Sequence, residues 1–82
     1  MIIDIAPDAL PLLCILAEAE VHRHKPRTPA RRAASALWAA LVTSGTVDGA
    51  RKALDGFTDA PTRAHAVRLL HQIAAQAAAT EG

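Results

Sequence analysis

The sequence predicts an all-α fold, a small bundle of about four helices preceded by an extended N-terminal arm. Three observations carry that expectation. Alanine, the strongest helix former, supplies 20 of the 82 residues, while aromatic residues make up only 2%. β-Branched residues, which favour strands, thin out after Ile5. Start and stop residues also punctuate the chain at helix-length intervals.

Taken in order, Met1-Ile2-Ile3-Asp4-Ile5 is rich in β-branched residues and reads as an extended arm. Helix 1 is expected over 8–24. Asp8 is its natural N-cap and Pro11 falls in the first turn, where a missing backbone donor costs nothing. Arg23, His24 and Lys25 suit the negative end of its dipole, and Pro26 stops it. Thr28-Pro29 opens helix 2, expected over 29–44, with Ala34, Leu37, Trp38, Leu41 and Val42 on one face and Gly45 at its end. Trp38 reads as a core residue on that spacing. Thr46 caps a short helix 3 over 47–54, in which Gly49 costs about 1 kcal/mol relative to alanine. Asp59 and Pro61 open helix 4 over 60–79. Its stripe is Val67, Leu70, Ile73, Ala74 and Ala77, with Leu69 on the flank. Phe57 is expected to plug the corner between helices 3 and 4.

Size and composition bound the function. At 82 residues the chain reads as one domain, 1–82, and its 51% apolar content suits a packed core. The 22 apolar residues larger than alanine are concentrated early, with half of them before residue 22. A net charge of +1 creates no global attraction to nucleic acid or to an anionic membrane. The single cysteine, Cys14, excludes an internal disulfide. The N-terminus lacks a cationic signal region, and the apolar run 12–17 is far short of the roughly 20 residues that span a bilayer. A cytoplasmic protein of bacterial or phage origin is the expectation.

Helix 1 is the most informative segment. Leu12, Leu13, Cys14, Ile15, Leu16 and Ala17 are consecutive, so at about 100° per residue they occupy every side of the helix. Either helix 1 is central and the other three wrap it, or one of its faces meets a second copy. Helices 2 and 4 offer one modest stripe each and helix 3 is short. A homodimer or other homo-oligomer is therefore expected, joined through Ile3, Ile5, Leu12, Leu13, Ile15 and Leu16.

The segment 22–32 holds five of the nine basic residues, Arg23, Lys25, Arg27, Arg31 and Arg32, and leads into the N-terminus of helix 2. With Arg63 and Arg68 of helix 4 it is the candidate contact for an anion or a protein partner. No aromatic residue is interleaved to stack a base, which disfavours single-strand recognition. A helix-turn-helix from helices 3 and 4 would present Thr62, Arg63, His65 and Arg68, but Asp55 and Asp59 would face DNA phosphates. The i,i+4 pairs Glu18–His22 and Glu20–His24 read as exposed helix contacts, and no metal or other cofactor is expected.

Catalysis is not expected either. Ser35 and Ser44 are the only serines and neither sits in a Gly-x-Ser-x-Gly elbow. Cys14 lies in an apolar stretch, and no glycine-rich phosphate loop occurs. The sequence thus points to a non-enzymatic helical binding module, an adaptor or regulator acting through self-association and protein contact. The alternative is a dimeric DNA-binding regulator using helices 3 and 4 and the basic segment 23–32.

Overall fold

The computed structural model describes residues 10–81, with side chains described through residue 79. The described chain is an all-α bundle of four helices: α1 (Leu10–Arg23), α2 (Pro29–Ser44), α3 (Val47–Asp55) and α4 (Ala60–Glu81). Among the described residues there is no strand, and no helix is long and apolar enough to cross a membrane. The expected arm with Ile3 and Ile5, and the expected cap Asp8, lie outside the described residues. Helix α1 ends at Arg23, one residue before the expected boundary, and α4 continues to Glu81.

The punctuation between helices works through named hydrogen bonds. The Thr28 hydroxyl accepts from the Arg31 N–H at 3.2 Å and donates to the Lys25 carbonyl at 2.7 Å, so one side chain closes the α1–α2 loop and caps α2. Thr46 caps α3 in the same way, accepting from the Gly49 N–H at 3.0 Å. Gly45 ends α2 in the left-handed region (φ 71°) and donates its N–H to the Leu41 carbonyl, a conformation in which a Cβ would be strained. Gly49 is not simply a weak helix former. A Cβ there would meet the Thr46 hydroxyl oxygen at 2.8 Å, so glycine leaves the capping group its place. Asp59 opens α4 with its carbonyl accepting from the Arg63 N–H at 2.9 Å, and its carboxylate accepts from the Thr62 hydroxyl.

Helix α2, not α1, is the centre of the bundle: each of the other three helices packs more extensively against it than against any other. The five largest fully buried side chains are Leu13 of α1, Leu37 and Leu41 of α2, Leu54 of α3 and Ile73 of α4. Around them Ala17, Ala33, Ala34, Ala50 and Ala66 are also fully buried. A helix touched by three neighbours needs small side chains over a wide arc so that their backbones can approach. Here alanine satisfies that need.

The same requirement explains the first of three corrections. Trp38 and Val42, expected in the core beside Leu37 and Leu41, are exposed at 38% and 53%. The inward arc of α2 is turned instead toward Ala33, Ala36 and Ala40, which occupy the places a bulk-first reading assigned to the larger residues. Phe57, expected to plug the α3–α4 corner, is exposed. Its backbone N–H closes the turn on the Leu54 carbonyl, and about a third of the residue remains in solvent. In α4 the order of two residues is exchanged: Leu69 is buried and Val67, expected on the stripe, is only partly covered.

Candidate functional site

The all-round apolar character of α1 resolves into three layers. Leu13, Ala17 and Glu20 face inward at helical spacing and are buried. Leu10, Leu12, Cys14, Leu16 and Val21 are partly buried against the core from both flanks. Only Ile15, opposite Leu13, is left largely in solvent, at 62%. Of the six residues expected to mediate self-association, Leu13 therefore belongs to the core, and Leu12 and Leu16 are half committed to it. Ile15 is free, while Ile3 and Ile5 lie outside the described residues.

A second outward apolar surface lies on α2. Helix α2 turns Ser35, Trp38, Ala39 and Val42 to solvent, with Arg32 at its N-terminal end. At about 100° per residue, Arg32, Ser35, Ala39 and Val42 fall within roughly 80° of arc, and Trp38 stands about 40° beyond Val42. The signal was present in the sequence as the rival line of alanines at 33, 36 and 40. Ranking positions by side-chain bulk hid it.

The basic residues do not form one patch with one role. Arg31 donates from Nη1 to the His24 carbonyl at 3.1 Å and so pins the α1–α2 loop. Arg23 pairs with Glu20 at 3.5 Å. Lys25, Arg27 and Arg32 are exposed, and Arg27 adopts a positive φ of 68°, unusual for a residue with a side chain. In the α3–α4 region Thr62 is buried and hydrogen-bonded to Asp59, and Arg63 donates from Nη1 to the Phe57 carbonyl at 2.8 Å. Two of the four side chains expected on a DNA-reading face are thus engaged in building the turn. His65 is partly covered and Arg68 is exposed.

Glu20, like Thr62, is a polar residue that folding buries. Its i,i+4 spacing to His24 predicts an exposed pair, yet its side chain is only 10% exposed, and it accepts from Arg23 and meets His24 Nε2 at 3.2 Å. Its place in the series Leu13, Ala17, Glu20 was the available clue. Replacing Glu20 with alanine removes both contacts and opens space beneath them, with an expected loss of about 1–3 kcal/mol in chemical denaturation. An unchanged midpoint would show that the cluster contributes nothing to folding. The Glu18–His22 pair, by contrast, is exposed at 3.8 Å. Among the described residues no three His, Cys, Asp or Glu side chains gather where they could hold a metal ion.

The class defined by these features is a small, alanine-rich helical bundle with uncovered apolar side chains on two helices. No family model, no curated protein and no solved structure matches the chain. Its function is therefore read from its own surface.

Proposed function

We propose that this chain is a non-enzymatic helical binding module, an adaptor or regulator that works by self-association and protein contact. The observation that supports this reading is the set of large apolar side chains left in solvent by a chain with few of them to spare. Ile15, Trp38, Val42 and Phe57 are all exposed although alanines fill much of the core. Had folding alone directed the pattern, Trp38 and Val42 would be the costly residues to leave outside, because burying either gains about 1.5–3 kcal/mol. Large apolar side chains standing together on a helix face suit a protein partner.

Mass measured by light scattering across a concentration series tests the reading. Self-association predicts a weight-average mass that rises from 8.6 kDa toward at least twice that value. A constant monomer mass would overturn it. The rival reading, duplex DNA binding, predicts affinity at about 50 mM salt that falls steeply as salt rises. With Thr62 and Arg63 engaged in the turn, no such binding is expected.

A further inference from the structure

We infer that two copies of the chain pair through the outer face of α2, with the two α2 helices antiparallel across a two-fold axis. This deepens the self-association reading and rests on it.

The face itself comes first. Ser35 and Val42 lie along its middle with Ala39 on one side and Trp38 on the other, and no charged residue interrupts the stretch from Ser35 to Thr43. Val42 and Trp38 are the larger uncovered side chains on the helix, and both are turned to this side. The polar groups lie at the ends.

Charge then selects the occupant. Helix α2 has an unusual distribution, with Arg31 and Arg32 in its first turn, no acidic residue there, and no basic residue in its last turn. Cations at the positive end and none at the negative end are the reverse of what a lone helix favours. Arg31 is occupied by the His24 carbonyl, while Arg32 is exposed on the face in question. A second α2 laid antiparallel brings its C-terminal end to Arg32. With the axis between Trp38 and Ala39, Ser35 meets the partner's Val42 and Arg32 meets the partner's α2–α3 corner. That corner carries the negative end of the helix dipole and the carboxylate of Asp48, which is 80% exposed and held by Lys52 at 3.3 Å. Because the contact is isologous, the same complementarity occurs twice. A parallel pair would instead stack Arg32 on Arg32. The face is one helix wide, which fits a reversible dimer more than an obligate one.

Sedimentation equilibrium on the full chain tests the assignment, with far-UV circular dichroism confirming that each variant remains helical. The unmodified chain is expected to dimerise reversibly. Ala39→Lys keeps a good helix former but sets two cations against each other at the axis, and should raise the dissociation constant about tenfold or more. Ile15→Lys on α1 should leave it within about twofold. Arg32→Asp and Asp48→Arg should each weaken the dimer, and the double variant should recover affinity. Loss of the dimer with Ile15→Lys alone, or with both lysine variants alike, would overturn the α2 face while leaving self-association intact. A monomer at every concentration of the unmodified chain would overturn both.

Discussion

Truncating Leu37 to alanine is expected to cost about 3–4 kcal/mol, the largest effect of any single methyl-bearing side chain in this bundle. Leu37 is fully buried on the helix that packs against all three others, so the cavity it leaves is walled on every side. The neighbouring alanines cannot refill it, because they have no longer rotamer to swing inward. A domain of this length holds roughly 5–10 kcal/mol of stability in total. The variant should therefore show a much lower denaturation midpoint and partial unfolding near 37 °C. A loss below about 1 kcal/mol would mean that α2 is not the central element.

The second large effect separates two opposite faces of α1. Leu13→Ala should destabilise by about 2–4 kcal/mol, because Leu13 is fully buried between α1 and its neighbours. Ile15→Ala, two residues away, should change stability by no more than about 0.5 kcal/mol, since Ile15 is 62% exposed. Urea titrations of the two variants side by side measure the contrast directly. Equal costs would imply that α1 is covered all round, as a central helix would be, and would contradict the placement of α2 at the core.

These two residues also show what was legible in the sequence and what was not. Local signals read well: Thr28, Thr46, Gly45 and Pro29 each act through the first few backbone groups beside them, so their roles follow from neighbours in the chain. The helix count and most boundaries follow from those signals. Facing did not read as well. Six consecutive apolar residues in α1 contain no period from which to tell Leu13 from Ile15. In α2, alanine on one side and Trp38 with Val42 on the other offer two plausible inward arcs. Which arc turns inward depends on how many helices must approach α2, a property of the whole bundle. Glu20 was misjudged for a related reason: its charge suggested solvent, whereas its register with Leu13 and Ala17 placed it inside, where Arg23 and His24 reach it.

The candidate site moved accordingly. The sequence placed the self-association surface on α1 and the arm, but folding commits Leu13 to the core and leaves Ile15 alone on the outer side of α1. The broader uncovered apolar face lies on α2. The expectation of an exposed apolar surface was a matter of composition, resting on the six consecutive apolar residues at 12–17. Its location was a matter of packing.

Trp38 offers the most direct test, because it is the only tryptophan in the chain and stands beside the proposed interface. Its fluorescence and its quenching by acrylamide should be followed as the protein is diluted through the dimer–monomer transition. Self-association through α2 predicts a shielded indole with blue-shifted emission at high concentration, and an accessible, red-shifted one after dilution. An indole shielded at every concentration would place Trp38 in the core. One equally accessible at every concentration would show that no second copy covers this face.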